Sequence, residues 1–312
     1  MQKHIQRYLS IIVCILLLVL SVQQAFAISS IDLTRKGAVT LTFCPDDEPA
    51  SQVYFRLYKV ADVTEKGEYV LTDDFNSYPL TFDDKENIDW RNIATTLTGY
   101  VAADGIEPTY DGKTDKDGKL SFNDAELGLY LIIGDPFDMN RTIYTPGSFM
   151  LALPDRDEND NWRYDIPAEV KYSSRPDSEN TDIEVIKVWN DNNSSNRPDS
   201  VTIDLYDGSS LMDSVVLNKN NNWRYTWSDV YGAAQYSVKE ENAPSGYYVN
   251  IEKKNDTFVI TNTKTDEPVK KPERLPQTGM LWWPVPFLAV AGILFVIIGL
   301  VRRKGNNYDE EE

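Results

Sequence analysis

Ile183-Glu184-Val185-Ile186-Lys187-Val188-Trp189, Tyr236-Ser237-Val238-Lys239-Glu240 and Phe258-Val259-Ile260-Thr261-Asn262 are the stretches on which the reading of the fold turns. Each alternates with the period of a β-strand, in which successive side chains point to opposite faces. Ile183, Val185, Lys187 and Trp189 share one face; so do Tyr236, Val238 and Glu240, and likewise Phe258, Ile260 and Asn262. Each strand therefore sets one polar group among apolar neighbours on a candidate core face. Buried singly, each of the three would be costly. Brought together, they can satisfy one another.

The same short, β-branched and aromatic runs recur outward from these three. Val39–Phe43, Val53–Val60, Gly128–Ile133 and Val201–Tyr206 read as strands, separated by turn signals such as Asp117-Gly118, Asp207-Gly208 and Asn218–Asn222. One segment has helical spacing: Asp89–Ala103, with Ile93, Leu97 and Val101 one turn apart. Regularly spaced strands predict a mainly β chain of two Ig-like β-sandwich domains in tandem. The polar, proline-containing stretch 173–180 is expected to link a first domain, 28–172, to a second, 181–264. Residues 265–274, with Pro268 and Pro272 among charges, are expected to form an extended stem.

Both ends read as targeting segments. Lys3 and Arg7, the apolar run Ile11–Val22 and Ala25-Phe26-Ala27 predict a signal peptide over 1–27, cut after Ala27. Leu281–Val301 is uncharged and long enough to cross a bilayer, which predicts a transmembrane helix over 281–301. Arg302-Arg303-Lys304 open a tail, 302–312, that positive charge keeps in the cytoplasm. The 312-residue chain has a net charge of −18, which argues against nucleic acid as a partner. Its only histidine, His4, and one of its two cysteines, Cys14, lie in the signal peptide. A His-dependent triad, a His/Cys zinc site and an internal disulfide are thus excluded from the mature chain. No metal and no cofactor are expected. Cys44 is expected to be a small buried hydrophobe, and the acidic stretches Asp111–Gly118 and Asp155–Asp160 to be solvated turns that lack a complete calcium ligand set.

Leu275-Pro276-Gln277-Thr278-Gly279 stands just before the apolar span and its cationic tail. In that order the three elements resemble the LPXTG sorting signal of Gram-positive surface proteins. The resemblance implies that a sortase cysteine attacks the carbonyl of Thr278 and releases Gly279 onward. An amine from a peptidoglycan precursor or a neighbouring pilin subunit then takes the acyl group. The chain would be secreted and anchored to the cell wall after a transient membrane stage.

Residues 181–264 resemble a Cna B-type domain. The resemblance is carried by Ile186-Lys187-Val188-Trp189, Arg197-Pro198, Asn222-Trp223, Tyr236-Ser237-Val238-Lys239-Glu240, Pro244-Ser245-Gly246-Tyr247 and Ile260-Thr261-Asn262. It implies an Ig-like sandwich whose first and last strands lie side by side, and an isopeptide bond from Lys187 to Asn262 promoted by Glu240. The chemistry suits those residue types. Burial lowers an amine pKa and raises a carboxyl pKa, so Lys187 can be a neutral nucleophile and Glu240 a protonated acid that shuttles protons.

Residues 30–172 resemble the first domains of pilin-type surface proteins, through Phe55-Arg56-Leu57-Tyr58-Lys59-Val60-Ala61-Asp62, Asp117-Gly118-Lys119 and Gly128-Leu129-Tyr130-Leu131-Ile132. The cross-linking residues are not expected here, since Gly134 stands where the second domain has Glu240 and Val39–Phe43 holds no lysine. Trp162, Ile166 and Lys171 have the spacing of the pilin motif, whose lysine accepts the next subunit's threonine; Glu169-Val170 stand where that motif has Tyr-Pro. Lys171 is thus either an acceptor or a strand-end surface lysine. Two functions follow: a sortase-anchored structural protein, as pilus subunit or wall-attached stalk, or a monomeric wall-anchored adhesin binding a host or matrix ligand. Neither is an enzyme beyond a single self-reaction.

Overall fold

The strands begin at β1 (Gly37–Thr42), β2 (Tyr54–Val63) and β3 (Tyr69–Leu71), followed by helix α1 (Trp90–Asp104). Next come β4 (Tyr110–Lys113), β5 (Lys119–Ala125), β6 (Gly128–Gly134), β7 (Phe137–Met139), β8 (Thr142–Pro146) and β9 (Phe149–Leu153). After β10 (Asp155–Arg156) and β11 (Trp162–Arg163) follow β12 (Asp165–Glu169) and β13 (Tyr172–Pro176). The remainder is β14 (Asn180–Asn190), β15 (Ser200–Asp207), β16 (Ser210–Asn218), β17 (Arg224–Tyr231), β18 (Tyr236–Glu241), β19 (Tyr247–Lys254) and β20 (Thr257–Lys264). This computed structural model describes residues 30–80, 89–192, 194 and 197–265. Residues 1–27, expected as a signal peptide, the pentapeptide Leu275–Gly279, and residues 281–301 and 302–312, expected as a transmembrane helix and tail, lie outside the described residues, among which no helix is long and apolar enough to cross a membrane.

The chain is mainly β. A sheet ordered β3-β2-β6-β9, with β4 also on β2, packs against a sheet ordered β12-β1-β5. Phe55, Leu57, Tyr130, Ile132, Val39 and Leu41 fill the core between them. A second pair of sheets, β17-β14-β20-β19 and β16-β15-β18, encloses Ile183, Val185, Ile203, Leu205, Val238, Phe258 and Ile260. Each set of inward residues follows the two-residue period read from the sequence.

Strand β6 departs from a simple alternation: all seven of its residues are buried. The cause is α1. Tyr130 and Ile132 face the first core, while Leu131 and Ile133 point outward beneath the helix with Tyr58, Val60, Leu97 and Val101. Asp89 caps α1 by accepting from the backbone N–H groups of Arg91 and Asn92. Gly105 ends it in the left-handed conformation at φ 62°.

The stretch 173–180, expected as a linker, is largely strand. Tyr172–Pro176 forms β13, pairing antiparallel with β8, and β14 already begins at Asn180. Its residues are polar because β13 is an edge strand with mostly exposed side chains, so no apolar face marked it. Cys44 is half-buried, just past the end of β1, with its Sγ 3.9 Å from the carbonyl oxygen of Asp117. In the two acidic turns, Asp115 Oδ1 accepts from the N–H groups of Asp117 and Lys119, and Asp157 Oδ1 from those of Asn159 and Asn161. Those carboxylates hold the turns themselves.

Candidate functional site

β14 lies inside its sheet, antiparallel to β17 and parallel to β20, with Lys187 opposite Ile260 and Trp189 opposite Asn262. β18 lies in the facing sheet, where Glu240 pairs with Ile203 of β15. The inward faces of these three strands bring Lys187, Glu240 and Asn262 to one point of the core. They are 4%, 2% and 0% exposed. Lys187 Nζ is 3.6 Å from Glu240 Oε2, and Asn262 Nδ2 donates to Glu240 Oε1 at 2.8 Å. Lys187 Nζ also donates to the carbonyl of Val188 at 3.0 Å. Glu240 Oε2 and Asn262 Oδ1 are buried without a hydrogen bond. The trio is thus packed together but not fully satisfied, a state that buried polar groups seldom keep.

Of the aromatic residues around it, Trp189 was placed by alternation on the face of Lys187, while Trp223 and Tyr247 were not assigned a place by sequence. The Trp189 ring lies 4.1 Å from Lys187 Nζ, and meets Trp223 and Tyr247 edge-on with centroids 5.5 Å away in each case. Asp191, also buried, accepts from Arg197 Nε at 2.7 Å and from the Tyr247 hydroxyl at 3.0 Å. These contacts close one end of the core over the lysine. The sequence held no sign of Asp191, which lies just past the end of β14.

Electrostatics follow burial. Desolvation pulls the Lys187 amine down to about 8, against the attraction of Glu240, which pulls the other way. Desolvation likewise pushes the Glu240 carboxyl up, opposed by Lys187 and by the Asn262 hydrogen bond. Both shifts favour the neutral amine and the neutral acid. Among the described residues, the buried charged side chains Lys187, Asp191, Asp204 and Glu240 all lie within 180–265. In the first sheet pair, a Cβ on Gly134 would strike the Phe55 ring at 2.3 Å, while Asp135 pairs with Arg56 at 2.6 Å.

A buried lysine and asparagine on the paired strands β14 and β20, with a buried acid on β18 of the facing sheet, now stand beside a family comparison. Residues 183–263 match the Cna protein B-type domain. This B-type stretch contains all three residues. Over 272 aligned residues the chain is 25% identical to a collagen adhesin of Staphylococcus aureus, covering 69% of this chain and 23% of that protein. The chain thus spans about a quarter of that relative's length. Among solved structures it is similar to a single B repeat unit of the collagen-binding surface protein of Staphylococcus aureus, at 15% identity and TM-score 0.27, covering 74% of this chain and 98% of that one. It is also similar to the full-length major pilin SpaD of Corynebacterium diphtheriae, at 18% identity and TM-score 0.29, covering 76% and 66%.

Of the other expected site residues, Lys171 is exposed, just beyond β12, and its carbonyl accepts from the N–H of Gly147 at 2.8 Å. Trp162 stands in β11 and Ile166 is buried in β12, which runs parallel to β1. Ala27 and Leu275, Pro276, Gln277, Thr278 and Gly279 lie outside the described residues.

Proposed function

We propose that the chain is a sortase-anchored cell-surface structural protein, a pilus subunit or wall-attached stalk, built from two Ig-like domains in tandem. Its second domain joins Lys187 to Asn262 by an autocatalytic isopeptide bond. The observation that carries this is the burial of Lys187, Glu240 and Asn262 at one point between β14, β18 and β20.

The reaction starts from a neutral Lys187 amine and a protonated Glu240. Turning the Asn262 amide half a turn sets its oxygen against the Glu240 hydroxyl, which polarises the carbonyl. Lys187 Nζ attacks Asn262 Cγ, and the new N–C bond replaces the bond from Cγ to Nδ2. Glu240 passes a proton to the departing nitrogen and recovers one from the lysine nitrogen, so ammonia leaves and the acid is restored. Fixed neighbours in a dry core supply much of the rate. The reaction happens once per chain and is not turnover.

Anchoring through Thr278 is supported by Leu275–Gly279 standing before an apolar span and Arg302-Arg303-Lys304. A sortase and a peptidoglycan precursor or neighbouring subunit are the partners this implies. Intact mass of the secreted chain tests the bond. The wild type is expected to be one ammonia lighter than its sequence, and Glu240→Ala to regain the full mass; a wild type of full mass would overturn the proposal.

The second reading is a monomeric wall-anchored adhesin. It draws on the collagen adhesin likeness and on a groove of about 480 Å³ lined by Tyr69, Trp90, Phe149, Met150 and Glu169.

A further inference from the structure

β18 and β19 are edge strands of the two facing sheets of the B-type stretch. The seam between them is the open flank of this sandwich, where unpaired backbone groups meet water unless something covers them. Helix α1 lies along it, packed against both strands. On the β19 side, the Ile251 N–H donates to Thr96 Oγ1 at 2.8 Å, and the Val249 N–H donates to the Pro79 carbonyl at 3.0 Å. On the β18 side the approach is closer. A Cβ built on Gly99 would lie 2.1 Å from the carbonyl oxygen of Val238. Glycine inside a helix is destabilising, and here only glycine admits the strand edge. Lys239 Nζ pairs with Asp104 at 2.9 Å, and Gln235 Nε2 donates to the Gly134 carbonyl at 2.9 Å.

Val238, against which Gly99 fits, is two residues from Glu240 on the same strand. Tyr100, beside Gly99, has a buried hydroxyl without a hydrogen-bond partner. Burial pushes that hydroxyl's pKa up, with the charge of Glu240 the next cause. Glu240 is thus contacted by Lys187 from β14 and Asn262 from β20, while α1 carries Tyr100, whose hydroxyl pKa Glu240 helps raise, and Asp104, paired with Lys239 of the same strand as Glu240.

We propose that α1 is a positioning element of the cross-linking site: docked in the seam, it keeps water from Glu240, and the Lys187–Asn262 bond forms at full rate only in that state. This rests on reading the trio as a cross-link. The carboxyl of a hydrated Glu240 would return towards its ordinary value of 4.5. At pH 7 it would then carry its proton in roughly one molecule in 300, slowing the reaction by about two orders of magnitude.

The test is a series of full-length chains, Gly99→Ala, Gly99→Val and Gly99→Leu, each mapped by protease digestion for the peptide joined through Lys187 and Asn262. Amide exchange at Ile251 and Val249 reports docking in the same samples. The cross-linked fraction is expected to fall in step with that protection. In the undocked variants the loss of protonated Glu240 and the gain of neutral Lys187 offset each other as pH rises from 4.5 to about 8, so the remaining reaction should be nearly independent of pH there. A docked site, whose Glu240 carboxyl is pushed up, speeds up with pH as Lys187 loses its proton, and a merely destabilised domain would keep that wild-type profile. A complete cross-link in chains whose Ile251 and Val249 amides exchange freely would overturn the proposal. So would protection surviving Gly99→Leu, because the close approach would then not exist. A wild type without the bond would refute the cross-link reading itself, a result distinct from either.

Discussion

Lys187 is held where its charge is least welcome. Its pKa falls from 10.5 to about 8 because desolvation outweighs the pull of Glu240. Removing that pull with Glu240→Gln should lower it further and block the bond. Between the folded and unfolded values the unfolded chain keeps a proton that the folded chain has lost, so stability rises with pH across that window. Below the folded value the penalty is present in full. The stability deficit of Glu240→Gln against Lys187→Met/Glu240→Gln, measured by urea unfolding, should therefore shrink from pH 7 to pH 10. A deficit that stays constant would mean that Lys187 titrates as it does in water. At this scale the sequence was informative because alternation alone put Lys187, Glu240 and Asn262 on inward faces. It was silent on Asp191 and Tyr247, whose hydrogen bond spans a turn and a strand that no local period connects.

The pairing of β14 with β20 would make the proposed bond a tie between the first and last strands of one pair of sheets. Closing the loop from Lys187 to Asn262 should stabilise the folded chain by about 4–5 kcal/mol in the chain-entropy model. For a chain of this size that is on the order of 10–15 °C in melting temperature, so Glu240→Ala should melt lower than the wild type by about this much in calorimetry. Equal melting temperatures would mean that the loop is open in both. Strands with a buried apolar face, such as β2, β6, β15 and β20, were legible, and so was α1, whose Ile93, Leu97 and Val101 recur at one helical turn. β13 and β16 were not, because both are edge strands with few buried positions. What α1 covers was equally hidden: Thr96 and Gly99 have no apolar signature, and their contacts with Ile251 and Val238 are remote in sequence.

Across the whole molecule the open question is whether copies are joined to one another. Lys171 is exposed just beyond β12, so its amine is accessible to an incoming acyl group. An immunoblot of wall extracts should show a high-mass ladder that Lys171→Ala abolishes; a single band in the wild type favours the monomeric adhesin. Strand β13 carries the chain from Lys171 towards β14 without a slack segment, and Arg175 on it reaches Asp256 at 2.9 Å. Because β14 and β20 run parallel, the chain enters this pair at one end and leaves it at the other. Tension applied between those ends would load the hydrogen bonds of the ladder in shear, all at once, rather than peel them apart singly. A covalent rung from Lys187 to Asn262 would carry the force past the residues between, leaving the sandwich nothing to unspool.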